Sequence, residues 1–187
     1  MATVNYFYTD PEFDYTLKTL TSLPYRIKHL IFDVSDVLVS KNEKQKMLKA
    51  ENEKLPYLPP TWYLKLIQTL KPRYTLGVLS NTSVPDLYEK YMRFKDYFNP
   101  RVYALKEGIP KPLPEIYELY LTRLKEVNPK LKPRNIAIID DKTTNLLVPK
   151  KLGMFTIHIK RPDTIVSKVH EPYIDLTIDY WPTFREE

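Results

Sequence analysis

Short apolar segments alternate along this chain with longer segments of helical periodicity, and this alternation constrains the fold more than any other feature. The short segments are rich in β-branched and aromatic residues and too brief for core helices, so they predict buried strands. They are residues 27–34 (IKHLIFDV), 74–80 (YTLGVLS), 101–105 (RVYAL), 135–140 (NIAIID), 156–159 (TIHI) and 174–178 (IDLTI). Helices are predicted over residues 61–70, 84–94 and 114–127. The chain is therefore predicted to be an α/β protein with a doubly wound, mostly parallel sheet in three α/β/α layers.

Polar side chains stand where three of the predicted strands end. Asp33 ends the first strand, Ser80 and Asn81 follow the second, and Asp140 and Asp141 follow the fourth. In doubly wound folds, ligands bind beyond the carboxyl ends of the strands, so this coincidence predicts a functional site at that edge. Taken singly, Asp33 is also compatible with a helix cap or turn residue, and Ser80 with an internally bonded hydroxyl.

Composition narrows the classes of protein that fit. With 187 residues, 43% of them hydrophobic, the chain is long enough for one domain with a substantial core. Cysteine is absent, which excludes disulfides and thiolate metal sites. The formal charge of +6 is compatible with an anionic substrate or with nucleic acid. In the densest basic run, Lys41 to Lys54, lysines alternate with glutamates, which is typical of a solvated helix face and argues against nucleic acid.

The sequence gives no sign of a membrane partner or of export. No apolar run approaches the roughly 18–20 residues that cross a bilayer. The start of the chain (MATVNYFYTDPEFDY) is polar and acidic where a signal peptide would be basic and then apolar. We therefore expect a cytoplasmic protein with no membrane partner.

Four motifs, in order, resemble the signature of the haloacid dehalogenase-like (HAD) superfamily: IFDVSDVLV, LGVLSNT, EGIPKPLPEIY, and IAIIDDKTTN followed by LGM. The resemblance spans Ile27 to Phe155 and implies a single Rossmann-like HAD domain over residues 1–187. The cap is expected to be minimal, within residues 39–58, or absent, because the segment between Leu38 and Thr61 is too short for a full helical cap. An open site suits a phosphorylated metabolite or a macromolecular phosphate and fits dehalogenation badly; an oligomer is compatible with it.

The resemblance also implies a role for each residue at the predicted edge. Asp33 is expected to attack phosphorus and form an aspartyl phosphate. The cofactor is expected to be Mg²⁺, bound by Asp33, the backbone carbonyl of Ser35, Asp140 and Asp141. Stabilisation of the phosphoryl charge is expected from Lys111, the Ser80 hydroxyl and the Asn81 amide.

Two features depart from the family pattern. Phosphatases of this kind carry a second Asp two residues after the nucleophile as general acid and base, and that position is Ser35 here. Asp36 is the candidate substitute, although in an extended backbone it points to the other side. Pro149 falls where the family normally continues a helix, so that helix either begins late, with Pro149 in its first turn, or is kinked.

The function implied is that of a Mg²⁺-dependent phosphohydrolase acting through Asp33, with Ser35 in place of the usual acid/base Asp. The alternative is a HAD-fold binding or regulatory module with little or no turnover. Ser35 is the feature that separates the two, and the sequence leaves both open.

Overall fold

A parallel β-sheet forms the centre of the computed structural model, which describes residues 9–162 and 171–185. Its strands are β1 (His29–Phe32), β2 (Thr75–Ser80), β3 (Arg101–Tyr103), β4 (Ile136–Asp140), β5 (Phe155–Ile159) and β6 (Leu176–Ile178). They are ordered β3-β2-β1-β4-β5-β6, and every pair is parallel. All six predicted strands are confirmed, with bounds that differ by a few residues.

The register brings the carboxyl ends of β1, β2 and β4 within two residues of one another. Phe32, the last residue of β1, lies opposite Val78 of β2 and Ile139 of β4. The backbone N–H of Asp33 donates to the carbonyl of Ile139 at 3.0 Å, which extends the pairing by one residue. The predicted arrangement, with the strand before Asp33 flanked by the strands ending at Ser80 and Asp140, is therefore confirmed.

Helices connect successive strands and cover the sheet. No helix within residues 9–162 and 171–185 combines the length and apolar character needed to cross a membrane. The α-helices are α1 (Pro11–Thr21), α2 (Lys41–Glu53), α3 (Thr61–Leu70), α4 (Pro85–Tyr91), α5 (Phe94–Tyr97), α6 (Pro114–Val127) and α7 (Leu147–Lys151), and short 3₁₀ turns occupy Pro133–Asn135, Thr143–Asn145 and Pro182–Arg185.

Alternate residues of β1 face two separate cores. Leu30 and Phe32 belong to one cluster, which includes Trp62 of α3. Ile31 points to the opposite face and belongs to a second cluster, which includes Tyr120 of α6. Because successive side chains of a strand point to opposite faces, a strand buried on both faces is apolar at nearly every position, as β1 is after His29. The three-layer α/β/α arrangement is confirmed.

Two predicted helices are interrupted or shortened in the structure, each because of a single residue. The helix predicted over residues 84–94 is divided into α4 and α5, since Arg93 adopts a left-handed backbone conformation (φ 55°) that an α-helix cannot continue through. Pro149 is the third residue of α7, where its missing N–H breaks no helical hydrogen bond. The helix therefore begins late, one of the two expected arrangements.

The charged segment after β1 forms helix α2. The Ser40 side chain caps it by accepting a hydrogen bond from the backbone N–H of Glu43 at 3.1 Å. Glu43 is itself buried and accepts hydrogen bonds from Tyr57 and Lys46, both at 2.5 Å. One face of α2 is therefore packed on the protein.

Candidate active site

Three polar side chains meet at the carboxyl ends of the inner strands. Asp33 follows β1, Ser80 ends β2 and Asp140 ends β4, so the register of the sheet alone brings them to one edge. All three side chains are buried. Buried polar groups at the mouth of a sheet are costly unless they bind one another or a ligand, so their partners define the site.

The carboxylates of Asp33, Asp140 and Asp141 form a cluster. Each offers an oxygen, and these oxygens all lie within 4.8 Å of one another. Three negative charges this close repel strongly where water is largely excluded. The cluster therefore requires compensating positive charge.

Lys111 supplies part of that charge. Its Nζ lies 2.8 Å from Asp33 Oδ1 and 2.7 Å from Asp140 Oδ2, and its side chain is 1% exposed. Burial alone would lower the pKa of Lys111, but the two carboxylates outweigh it and raise that pKa. Burial raises the pKa of Asp33, an effect that Lys111 opposes and Asp140 increases. One lysine serves three carboxylates, so negative charge remains in excess.

Asp140 is held in place by donors on the following turn. Its Oδ1 accepts a hydrogen bond from the backbone N–H of Lys142 at 2.9 Å. The Asn145 amide lies 3.1 Å from each of its two oxygens, and the Asn145 carbonyl accepts from Tyr117 at 2.8 Å. The sequence motif located Asn145 near the site, and the structure shows that it orients Asp140.

Asp141 has a carboxylate oxygen that is available to coordinate a ligand. Its Oδ1 is buried and has no hydrogen-bond partner among the described residues, and its Oδ2 lies 3.8 Å from Arg161 Nη1. Burial, together with the charges of Asp33 and Asp140, raises the pKa of Asp141 to about 7. Hard divalent cations prefer carboxylate oxygens as ligands, and this cluster contains one oxygen with no other partner among the described residues. These residues therefore fit a metal ion.

Solved structures of similar fold were found by comparison. A HAD family enzyme from Bacteroides thetaiotaomicron, in complex with magnesium and inorganic phosphate, has a TM-score of 0.53 at 20% identity, covering 72% of this chain and 94% of that chain. An L-2-haloacid dehalogenase has a TM-score of 0.51 at 17% identity, covering 81% and 94%. The protein has the HAD fold. This confirms the fold that the four motifs predict.

Curated relatives match only part of the chain. Mouse acyl-CoA dehydrogenase family member 10 is 39% identical over 72 residues, which are 38% of this chain and 6% of that protein. Pig bifunctional epoxide hydrolase 2 is 28% identical over 115 residues, which are 58% of this chain and 20% of that protein. The matches thus span a fifth or less of these relatives. No family model matches the chain.

Asn81 connects two motifs of the HAD fold. Its Nδ2 donates to the Lys111 carbonyl at 3.1 Å, and its Oδ1 accepts from the Lys111 N–H at 2.8 Å. This pair of bonds ties the end of β2 to the loop that carries Lys111. Ser80 is bonded locally, since its Oγ accepts from the backbone N–H of Thr82 at 3.2 Å.

Ser35 and Asp36 are placed differently from each other. Ser35 is exposed, two residues beyond Asp33. Asp36 adopts a left-handed conformation (φ 62°), and its Oδ2 accepts from Arg161 Nη1 at 2.7 Å. The Asp36 backbone carbonyl also accepts from the Thr183 hydroxyl at 2.6 Å. Asp36 is therefore fixed at the rim of the site by an ion pair to a residue far along the chain.

Two residues near the site were missed by sequence reasoning. Arg161 follows β5 and pairs with Asp36, but nothing in its local sequence indicates a partner 125 positions away. His158 of β5 lies opposite Asp140 in the sheet, and its Nε2 donates to the Asp141 carbonyl at 3.2 Å. His158 could have been found from the sequence, because it is a polar residue near the end of a predicted neighbouring strand.

The paired hydrogen bonds of Asn81 generate a prediction about stability. We expect Asn81→Asp to lower the free energy of unfolding by about 1–2 kcal/mol, because the new carboxylate cannot donate to the Lys111 carbonyl. Urea unfolding followed by circular dichroism measures this change.

Asn128 provides the matched control. Its Oδ1 only accepts, from the Lys130 N–H at 3.2 Å, so Asn128→Asp keeps its hydrogen bond. Equal losses of stability in the two variants would contradict a specific role for the Asn81 amide donor.

Proposed function

We propose that the protein is a Mg²⁺-dependent phosphohydrolase of the HAD superfamily, with Asp33 as its nucleophile. The observation that carries this proposal is the Lys111 ammonium bonded to both Asp33 and Asp140 at the mouth of the sheet. A buried cation between a nucleophilic carboxylate and a metal-binding carboxylate suits attack on an anionic phosphate, which like charges would otherwise repel. A neighbour in fold that binds magnesium and inorganic phosphate supports the same chemistry.

The proposed reaction begins at Asp33. One carboxylate oxygen attacks phosphorus, the bond from phosphorus to the leaving oxygen breaks, and an aspartyl phosphate forms on Asp33. Water then attacks phosphorus, releasing phosphate and restoring the carboxylate. Lys111, the Ser80 hydroxyl and the second N–H of the Asn81 amide are the proposed contacts to the phosphoryl oxygens.

Asp33, Asp140, Asp141 and the backbone carbonyl of Ser35 are the proposed ligands of Mg²⁺. When bound, the ion supplies positive charge that offsets the repulsion between phosphate and carboxylates. The orphaned Oδ1 of Asp141 supports this assignment, since it has no other partner among the described residues. Asp140 is already bonded to Lys111, Lys142 and Asn145, so its orientation is fixed before any ion arrives.

The proposed mechanism lacks a carboxylate at the usual position of the general acid and base. Ser35 occupies the position of the usual carboxylate, and a hydroxyl is a poor acid and base near neutral pH. Asp36 is the candidate substitute, but its ion pair with Arg161 holds its Oδ2 2.7 Å from Nη1 at the rim of the site. The leaving group must then depart without a proton from either side chain.

The serine at position 35 also favours a second candidate function, a HAD-fold binding module with little turnover. Such a module would keep Lys111 and the carboxylate cluster, bind metal and phosphate, and lack effective acid/base catalysis. Dehalogenation is less suited to the site, because the adjoining cleft is lined by charged groups rather than a closed apolar wall. In either case we propose one domain over residues 1–187, with residues 39–58, which include α2, as its minimal cap.

Hydrolysis of an activated aryl phosphate tests the proposed function. We expect p-nitrophenyl phosphate to be hydrolysed with Mg²⁺ and not after chelation. Asp33→Asn should reduce kcat by roughly 10⁴-fold or more, because the nucleophile is lost. The control Asp86→Asn changes an exposed carboxylate paired with Lys106 and should retain activity. Absence of Mg²⁺-dependent hydrolysis in the unsubstituted protein would favour the binding module.

Binding of Mg²⁺ is tested separately by thermal unfolding. At about 100 times its dissociation constant, Mg²⁺ should raise the free energy of unfolding by roughly 2.7 kcal/mol and Tm by about 5–10 °C. Asp141→Asn should reduce this rise, because the orphaned oxygen no longer belongs to a charged carboxylate.

Asp86→Asn again serves as the control for that measurement, since it removes the negative charge of an exposed carboxylate that does not belong to the cluster. An unchanged Tm up to millimolar Mg²⁺ would contradict the metal site. An equal reduction in both carboxylate variants would indicate a general charge effect.

Ser35→Asp tests the acid/base assignment. We expect this variant to hydrolyse alkyl phosphates about 10²–10⁴-fold faster than the unsubstituted protein, because poor leaving groups need the missing proton. In the first step, formation of the aspartyl phosphate, the gain should be much smaller for p-nitrophenyl phosphate, whose leaving group departs unprotonated. In the second step, hydrolysis of the aspartyl phosphate, the gain should be the same for both substrates, because the new carboxylate activates the attacking water. Burst kinetics measure the first step, and steady-state kcat measures the slower of the two.

Ser35→Asn is the matched control, with a similar shape and no titratable group. It should give no gain for either substrate. If Asp36 serves as acid and base instead, Asp36→Asn would abolish alkyl turnover and Ser35→Asp would add nothing.

A further inference from the structure

A cleft of about 600 Å³ adjoins the candidate active site. It is lined by Ser35 and Asp36, which follow the nucleophile Asp33 in the chain. The first turns of α2, including Lys41 and Lys44, also line it. Clefts of this volume hold small molecules, so a group bound at Asp33 would extend its remainder into this space.

The charges along the cleft are not balanced. Arg161 and Asp36 also line it, but they form an ion pair at 2.7 Å and largely cancel each other. Lys41 and Lys44 pair with no carboxylate among the described residues. Lys46 of the same helix, by contrast, lies 2.5 Å from Glu43 and outside this cleft. Two uncompensated ammonium groups therefore face the space beside the nucleophile.

The backbone of α2 adds to this positive potential. Lys41 and Asn42 lie in the first turn of a 13-residue helix, where backbone N–H groups have no helical acceptor. The Ser40 side chain caps this end by accepting the N–H of Glu43. The helix end and the two lysines thus attract an anion to the same place. The attraction is stronger than that of the two lysines alone, because the N-terminal end of a helix carries partial positive charge.

Resting on the proposed function, we propose that the cleft binds the leaving group of the substrate and that this leaving group carries a second anionic group. The substrate class is a small metabolite with a phosphate at Asp33 and a second phosphate or a carboxylate at Lys41 and Lys44. Lysine suits either group, because its ammonium is a compact charge with three donors on a flexible stem. α2 is then a specificity element.

Paired substrates test this proposal and separate the two anions. Fructose 1,6-bisphosphate is compared with fructose 6-phosphate, and 3-phosphoglycerate with glycerol 1-phosphate. We expect kcat/KM to be at least about tenfold higher for the doubly anionic member of one pair or of both pairs. Charge-assisted hydrogen bonds from the two lysines provide a binding free energy that corresponds to a factor of about ten. The pair showing the preference identifies the second group. Equal kcat/KM within both pairs would overturn the proposal.

Variants of α2 assign the preference to its lysines. Lys41→Ala combined with Lys44→Ala should lower the preference about tenfold, and Lys41→Arg with Lys44→Arg should preserve it. The matched control is Lys49→Ala, an exposed lysine of the same helix that lines a different hollow. A preference that survives the double alanine variant, or that Lys49→Ala removes equally, would contradict the proposal.

Binding measurements separate failure of this inference from failure of the proposed function. On an Asp33→Asn background with Mg²⁺, calorimetry gives the Kd of each compound without turnover. Tighter binding of the doubly anionic compounds that depends on Lys41 and Lys44 supports the cleft assignment even if no compound is hydrolysed. Mg²⁺-dependent hydrolysis of p-nitrophenyl phosphate with no lysine-dependent preference would leave the phosphohydrolase standing and overturn the cleft assignment.

Discussion

The buried ammonium of Lys111 is the interaction on which the rest of the site depends. Asp33, Asp140 and Asp141 converge because β1 and β4 pair in parallel and end within one residue of each other, and without a cation their mutual repulsion would oppose that register. Removing one partner of a buried ion pair costs about 3–5 kcal/mol, so Lys111 contributes to folding as well as to the proposed chemistry. Asn81 extends this dependence to the backbone, since its two hydrogen bonds set where the Lys111 loop meets β2.

The charge balance of the site also explains why a metal ion suits it. One ammonium offsets one carboxylate of the three, and Arg161 is 3.8 Å from Asp141 while bonded closely to Asp36. A divalent cation beside Asp141 would bring the cluster close to neutrality. The phosphate of the proposed substrate would then meet a site whose negative charge is already compensated.

Several features of the fold and site could be predicted from the sequence because they follow from local pattern and register. Apolar segments of strand length, each followed by Asp or Ser, locate Asp33, Ser80 and Asp140, and parallel pairing then brings them together. The contacts of Arg161 could not be predicted, because an ion pair between side chains 125 positions apart leaves no periodic signal. The break at Arg93 depends on a single left-handed residue, which helical periodicity does not reveal.

The strand order gives the parts of the site unequal resistance to local opening. β1 and β4 are each separated from both edge strands by at least one further strand, and Asp33 and Asp140 stand at their ends. β2 and β5 each pair with a three-residue edge strand, β3 or β6, so Ser80 and Arg161 lie nearer the edges of the sheet. Fraying of an edge strand takes less free energy than disruption of inner strands. Amide exchange should therefore be faster around Ser80 and Arg161 than around Asp33 and Asp140, so the charged centre stays assembled while the flanks of the site open.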